Sequence, residues 1–231
     1  MIEAMRSDGN ILGASQDWIR ATYDHEYSYH FEWMGMPIIQ YPQDIVAAQE
    51  LIWTTQPTVI IETGIARGGS LVFYASMLQM TGGGRVVGID IDIRAHNRAA
   101  IEAHPMFEHI ELIEGSSVDP AIVRRVEAAV GDDGPVMVVL DSNHTHDHVL
   151  DELRLYAPLV SKGCFLVVFD TIVEELPQSA FSNRPWGHGN SPLSAVEAYL
   201  AETDEFAVDE SICAKLGITA ARQGYLRRVA G

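Results

Sequence analysis

Cysteines, cations and long apolar runs are all scarce in this sequence. The 231 residues hold two cysteines, Cys164 and Cys213, too few for a disulfide framework, and we expect core thiols in a reducing, cytoplasmic compartment. Lysine and arginine number 15 against 32 aspartates and glutamates, which gives a net charge of −17. Because phosphate binding depends on clustered cations, nucleic acid and anionic membrane surfaces are poor partners. No run approaches the ~18 apolar residues of a membrane helix, and we expect no signal peptide.

What the sequence does contain is an alternation of apolar and amphipathic segments. Hydrophobic residues make up 47% of the chain, enough for one substantial core. Segments with the apolar, β-branched character of strands lie at 58–62, 85–90, 110–114, 136–141, 163–170, 206–209 and 217–220. Helices are expected at 70–80, 94–104, 121–130, 148–156 and 194–202. This alternation predicts an α/β fold with a mostly parallel sheet and helices on both faces.

The first 50 residues differ from the rest. They are helical in pattern and rich in tyrosine and tryptophan, which we interpret as packing or subunit contact. We therefore expect an N-terminal helical extension or cap at 1–50 and the main domain at 51–231.

A glycine-rich turn follows the first strand of the main domain. It runs from Glu62 through Gly64 and Gly68 to Ser70, and glycines there let the backbone approach a ligand closely. The spacing is not the G-x-G-x-x-G of dinucleotide sites and is similar to the acidic-x-Gly-x-small-x-Gly turn of S-adenosylmethionine (SAM)-dependent methyltransferases. Asp90 ends the next strand, where a carboxylate can accept ribose hydroxyls. The alternative is an ordinary strand–helix turn followed by a solvated acid.

A second polar cluster, residues 141–148, packs three histidines and two acids into eight positions. A two-zinc hydrolase would need H-x-H-x-D-H, and this chain is one residue short. A non-haem iron oxygenase would need two histidines and a carboxylate on one face, and its usual H-x-D pair is absent from the sequence. The plainest alternative is a polar loop in which Asp147 caps the following helix.

Five long segments carry a more specific resemblance. They are QYPQDIVAAQELIW (40–53), IIETGIARGGSLVFYASML (60–78), VVGIDIDIRAHNRAAIEAHPMF (86–107), IEGSSVDPAIV (113–123) and LDSNHTHDHVLDELRLYAPLV (140–160). Together they resemble the cephalosporin hydroxylase/rhamnosyl O-methyltransferase family. The resemblance implies a Rossmann-like class I methyltransferase fold with a seven-stranded sheet, SAM as methyl donor, and a divalent metal such as Mg²⁺. It also implies a sugar hydroxyl as acceptor, on an activated deoxysugar or a glycosylated natural product, and a homo-oligomer.

The resemblance also assigns site residues. Those expected around SAM are Glu62, Gly64, Gly68, Ser70, Asp90, Ser116, Ser117 and Asp141. Asp141 and Asp170 would hold the metal, because hard cations require oxygen ligands. His144 would act with Asp141 in catalysis as the base that takes the hydroxyl proton, and His146 would orient substrate.

Two points stay open at this level. Related enzymes often have two adjacent acid or amide ligands after the later strand, whereas this chain has Asp170-Thr171, so Thr171, Glu174, Glu175 or water completes the metal shell. The long loop that contains Trp186 is either a lid over the acceptor or a packed surface loop. The competing function is a non-catalytic SAM or nucleotide binder, followed by a non-haem iron hydroxylase.

Overall fold

The computed structural model describes residues 1–132 and 134–231. Its α-helices are α1 (Ile2–Arg6), α2 (Gly9–Tyr23), α3 (Pro42–Thr55), α4 (Gly69–Met80), α5 (Ala95–Glu102), α6 (Pro120–Val130), α7 (His146–Tyr156), α8 (Pro192–Glu202) and α9 (Glu210–Leu216). Its strands are β1 (Phe31–Trp33), β2 (Met36–Ile38), β3 (Val59–Thr63), β4 (Arg85–Asp90), β5 (Ile110–Glu114), β6 (Val136–Leu140), β7 (Phe165–Val168), β8 (Phe206–Val208) and β9 (Tyr225–Arg228). Among the described residues, no helix is both long and apolar enough to cross a membrane.

The main sheet has seven strands in the order β5-β4-β3-β6-β7-β9-β8. The five strands from β5 to β7 are parallel, whereas β9 runs antiparallel to both of its neighbours. The predicted mostly parallel α/β fold is thus confirmed. The chain moves outward from β3 in one direction through β4 and β5, then returns to start β6 on the other side of β3. Ligands of open α/β sheets bind at this kind of reversal, beyond the carboxyl ends of the strands.

Two apolar layers cover the sheet. One face packs against α6, α7 and α8, and the other against α3, α4 and α5. All residues of β3 and of β6 are buried, as expected for strands covered on both faces. The five helices expected after position 69 are present, with ends within two residues of the predicted ones. Asp119 caps α6, because its Oδ1 accepts a 2.7 Å hydrogen bond from Ala121 N.

The structure differs from the sequence-based expectations at three points. Residues 217–220 form no strand; there Ala220 N donates to the Asp44 carboxylate, and the last strand is the more polar β9. Asp147 is not a cap, because α7 begins earlier, behind Thr145. The N-terminal segment also contains a β1–β2 hairpin that its aromatic pattern did not suggest.

The N-terminal segment is attached to the sheet through Asp44 in α3. The buried carboxylate accepts hydrogen bonds from Thr219 Oγ1 (2.5 Å), Ala220 N (2.8 Å) and Tyr225 Oη (2.8 Å). Burial raises the pKa of Asp44 to about 6, although these hydrogen bonds oppose the shift. The expected division at residue 50 falls within α3, so one continuous helix links the two expected parts.

Candidate active site

The turn after β3 brings the tips of three strands together. Gly64 has φ +80°, and a Cβ added there would collide with the Asp141 carbonyl, so glycine permits the β3 and β6 tips to approach closely. On the other side, Asp90 at the tip of β4 accepts a 3.0 Å hydrogen bond from Ile65 N. Its second oxygen accepts from Asp92 N at 3.1 Å. Gly68, at φ +84°, lies against Ile101 and is the N-cap residue of α4. The turn and Asp90 therefore form one rigid unit.

Glu62 lies beneath this turn and is only partly satisfied. Its side chain is 1% exposed, and Ser70 Oγ donates to its Oε2 at 2.8 Å. Its Oε1 has no hydrogen-bond partner among the described residues. Burial raises the pKa of Glu62 to about 8, with the Ser70 hydrogen bond opposing the shift and Asp90 adding to it. Since buried polar groups are nearly always paired in native proteins, the free oxygen indicates a ligand-facing position.

Ser116 and Ser117 follow β5, whose tip lies next to that of β4 because Gly115 N donates to the Asp90 carbonyl at 2.8 Å. The Ser117 hydroxyl is buried and lies 3.1 Å from His148 Nε2, on the side of α7. Ser116 is half-buried and nearer the surface. The structure thus brings both serines to the strand tips, with the Ser117 hydroxyl engaged by a histidine.

Asp141, His144 and Asp170 form the one group of three potential metal ligands found among the described residues. One donor atom from each side chain lies within 4.8 Å of the others. His144 Nε2 is 3.1 Å from Asp170 Oδ2. Burial, followed by the nearby charges of Asp170 and Glu62, raises the pKa of Asp141 well above its usual range. Two carboxylates held this close are stabilised by a cation between them.

The other predicted ligands and bases have different partners. Thr171 is buried and its hydroxyl donates to the Ala220 carbonyl, so His144 rather than Thr171 lies with the two carboxylates. Glu174 accepts from Ser191 Oγ at 2.5 Å, and Glu175 forms an ion pair with Arg222. His146 Nδ1 lies 2.9 Å from Ser194 Oγ, in the direction of α8.

Aromatic side chains from two distant segments border the carboxylate cluster. The Trp186 ring lies edge-on to His144 with centroids 4.8 Å apart, and the Arg184 guanidinium lies 5.2 Å from the Trp186 centroid. Tyr29, from the N-terminal segment, is 51% exposed, and burial together with the Asp170 charge raises its pKa. Sequence reasoning named Trp186 as part of either a lid or a packed loop, but it missed Tyr29, because it interpreted the aromatic N-terminus as packing or subunit contact.

Comparison with solved structures shows that methyltransferases of known structure share this fold. CmcI in a complex with magnesium and SAM aligns with a TM-score of 0.63 at 20% identity, over 87% of this chain and 78% of that one. An O-methyltransferase from Bacillus cereus in a complex with S-adenosylhomocysteine (SAH) aligns at 0.56 and 15% identity, over 87% and 82%. At these identities the likeness establishes the fold.

Sequence comparison identifies the family. The "Rhamnosyl O-methyltransferase/CmcI" model matches residues 25–229. A rhamnosyl O-methyltransferase from Mycobacterium tuberculosis is 33% identical over 218 residues, covering 91% of this chain and 79% of the relative. One from Mycobacterium leprae is 30% identical over 199 residues, covering 85% and 82%. The chain belongs to the rhamnosyl O-methyltransferase/CmcI family, which confirms the resemblance drawn from the sequence.

Proposed function

We propose that the protein is a SAM-dependent O-methyltransferase that methylates a sugar hydroxyl with the help of a divalent cation, Mg²⁺ in particular. The observation that carries the proposal is the placement of Asp141, His144 and Asp170 within 4.8 Å of one another, directly beside the glycine turn. A donor site and an acceptor site therefore share one edge of the sheet. The curated relatives named above are rhamnosyl O-methyltransferases, which supports a sugar as acceptor.

The residues of the turn fit SAM. A cleft that is partly open to solvent lies between the turn and the segment after β2, and its lining includes Gly64, Ser70 and Asp141. Glu62, which accepts a hydrogen bond from the lining residue Ser70, has a free oxygen. Asp90 has lone pairs left for ribose hydroxyls after its two backbone hydrogen bonds. When bound, SAM supplies an electrophilic methyl group on a sulfonium.

The carboxylates fit a hard cation. Mg²⁺ takes oxygen ligands and keeps several waters, so Asp141 and Asp170 suffice as its protein ligands. When bound, the cation stabilises negative charge on the acceptor oxygen. A non-haem iron site is disfavoured by the donor set, since the group contains two carboxylates and one histidine.

His144 is the residue that accepts the proton of the acceptor hydroxyl in this proposal. With a proton on Nε2 directed at Asp170, the lone pair is on Nδ1, which can accept the proton of the acceptor hydroxyl. Asp170 stabilises the imidazolium that forms. A sugar hydroxyl has a pKa far above 7, so a base at this position lowers the barrier to methyl transfer.

Aromatic rings near the cation site support a glycosidic acceptor. Trp186 and Tyr29 can pack against the C–H face of a pyranose, and the acceptor we propose is a nucleotide-activated deoxysugar or a glycosylated natural product, such as an antibiotic. The two free cysteines are consistent with a protein that functions in the reducing cytoplasm. We also propose that the protein forms a homo-oligomer. A further part of the proposal is the division of the chain into a cap at 1–50 and a methyltransferase domain at 51–231.

Methyl transfer to a panel of acceptors tests this function. The enzyme is incubated with SAM and Mg²⁺ and with nucleotide-activated and glycosidic deoxysugars, and SAH and methylated sugar are quantified by mass spectrometry. We expect stoichiometric SAH and O-methyl sugar for at least one acceptor class, and their loss with EDTA. SAM binding without turnover on any acceptor would favour a non-catalytic binder. Succinate release with Fe(II) and 2-oxoglutarate would favour a hydroxylase.

A further inference from the structure

Gln40 is a buried amide whose polar atoms have no hydrogen bond of normal geometry to any described residue. It follows β2 and is 4% exposed, yet neither its Nε2 nor its Oε1 has a hydrogen-bond partner among the described residues. The residue lines the cleft together with Gly64, Ser70 and Asp141. Burying an amide without partners destabilises a protein, and native structures rarely do so. The position of Gln40 is explained if a polar group of a ligand enters the cleft.

Neighbouring side chains share this shortage of partners. The Tyr74 hydroxyl in α4 is buried, has no hydrogen bond of normal geometry, and lies next to the Gln40 amide. Tyr74 could satisfy at most one of the two Gln40 atoms. The free Oε1 of Glu62 is within electrostatic reach of the same hydroxyl. Unpaired groups from the segment after β2, from β3 and from α4 are thus neighbours, and of these Gln40 lines the cleft itself.

The charges around the cleft have both signs. Asp141 provides a carboxyl group, whereas Arg67 on the cleft rim is exposed and forms no ion pair with any described residue. An amide adds a donor and an acceptor in one side chain. An acid, an amide and a guanidinium in one cleft are complementary to an α-amino acid, which carries an ammonium and a carboxylate on the same carbon.

We infer that Gln40 binds the α-amino acid end of the methyl donor, so that the N-terminal segment completes a donor site whose other half is the glycine turn. Asp90 is hydrogen-bonded to Ile65 N in the turn, whereas Gln40 belongs to the segment after β2, so different residues contact the ribose and the amino acid in this proposal. This inference rests on the proposed function and extends it to a residue outside the methyltransferase turn.

The fold holds Gln40 in place from both sides. On one side, Pro37 packs so closely on α4 that a Cβ added at Gly69 would collide with the Pro37 carbonyl. On the other, Asp44 accepts three hydrogen bonds from residues 219–225. A binding group on a segment fixed at both ends loses little conformational freedom when the ligand arrives.

Two ligands that differ only in the amino acid end test the inference. SAH carries that end, whereas 5′-methylthioadenosine keeps the adenosine and sulfur but lacks it. Isothermal titration calorimetry measures both affinities in the wild type, in Gln40→Leu, and in the control Gln49→Leu, an exposed glutamine of α3. We expect Gln40→Leu to weaken SAH binding about tenfold or more while 5′-methylthioadenosine binding stays within about twofold. Gln49→Leu should leave both unchanged.

The ligand-free protein provides a second readout. Because Gln40→Leu removes an unpaired buried amide, the unfolding temperature without ligand should be equal to or higher than that of the wild type. Unchanged SAH affinity, or equal weakening of both ligands, would overturn the inference and leave the proposed function intact. If the wild type bound neither ligand, the proposed function would fail first, and the role of Gln40 with it.

Discussion

His144 and Asp170 face each other across the tips of two neighbouring parallel strands, with His144 Nε2 3.1 Å from Asp170 Oδ2. His144 lies in the loop after β6, and Asp170 lies just past β7, at a φ of +55°. The pair combines a base with an acid that can both orient it and hold a cation. The first two predictions test the base and the cation site in turn.

His144→Ala should lower kcat by about 10²- to 10⁴-fold, the usual contribution of a general base. We expect SAH affinity and the Mg²⁺ concentration for half-maximal activity to stay within about twofold, since Mg²⁺ prefers oxygen ligands. Steady-state kinetics with a magnesium titration measure both. His146→Ala is the matched control, because that imidazole contacts Ser194 instead. A large rise in the magnesium requirement of His144→Ala would make His144 a metal ligand rather than the base.

Asp141→Asn should abolish magnesium-dependent activity and yet stabilise the metal-free protein. Burial and the nearby Asp170 charge disfavour the Asp141 carboxylate, and the amide removes that repulsion. In EDTA, differential scanning fluorimetry should give a higher unfolding temperature for the variant than for the wild type. Added Mg²⁺ should raise the unfolding temperature of the wild type alone. Equal responses of both proteins to the metal would remove Asp141 from the cation site.

Asp90→Asn should weaken SAH binding by about 10- to 100-fold, the range expected when hydrogen bonds to a charged acceptor are lost. Calorimetry measures the affinity, and Asp92→Asn, an exposed neighbour, serves as the control. Wild-type affinity in Asp90→Asn would refute the ribose role.

Glu62 should make the ligand-free protein less stable as the pH rises. Its pKa is raised from 4.5 to about 8, so between these values the folded state binds more protons than the unfolded state. The free energy of unfolding therefore falls from about pH 4.5 to about pH 8, by ~1.4 kcal/mol for each unit of pKa difference. Below pH 4.5 the stabilising contribution of the protonated acid is fully present.

Urea unfolding at a series of pH values, in EDTA, measures this effect. Glu62→Gln should show a shallower decline than the wild type, since the amide does not ionise. Asp44 and Asp141 are retained in both proteins, so the difference between the two curves reports Glu62. Parallel curves would mean that Glu62 ionises at its ordinary pKa.

Trp186→Ala should raise the KM for the sugar acceptor about tenfold without changing SAH affinity, because the ring borders His144 and lies outside the donor cleft. Trp53→Ala, an exposed tryptophan of α3, is the control. Normal acceptor kinetics in Trp186→Ala would indicate a packed surface loop, the alternative left open by the sequence.

The parts of the fold that could be predicted from sequence are those with strong local patterns. Continuous apolar runs identified the parallel strands, and the placement of Asp141 and Asp170 at strand ends predicted that the two carboxylates would meet. The strand-tip rule works because parallel strands all end at the same edge of the sheet.

Long-range contacts left no such local pattern. The sequence 217–220 resembles a strand, but its hydrogen-bonding groups are taken by Asp44, a residue 175 positions away from Thr219. Nothing near Gln40 in sequence marks its amide as unpaired, and nothing near Tyr29 marks it as a neighbour of Asp170. Thr171 follows Asp170 directly, yet the backbone turn at Asp170 directs its hydroxyl to Ala220.

The hydrogen bonds between Asp44 and residues 219–225 also bear on synthesis in the cell. The ribosome releases Asp44 about 175 residues before its partners, and β9 inserts between β7 and β8 only after both have been made. During translation Asp44 in α3 therefore lacks its hydrogen-bond donors until residues 219–225 have been made. The segment that carries Gln40 is fixed at its second end only at that stage. Nascent chains stalled before residue 219 should be unable to retain the methyl donor, however well the central strands have already paired.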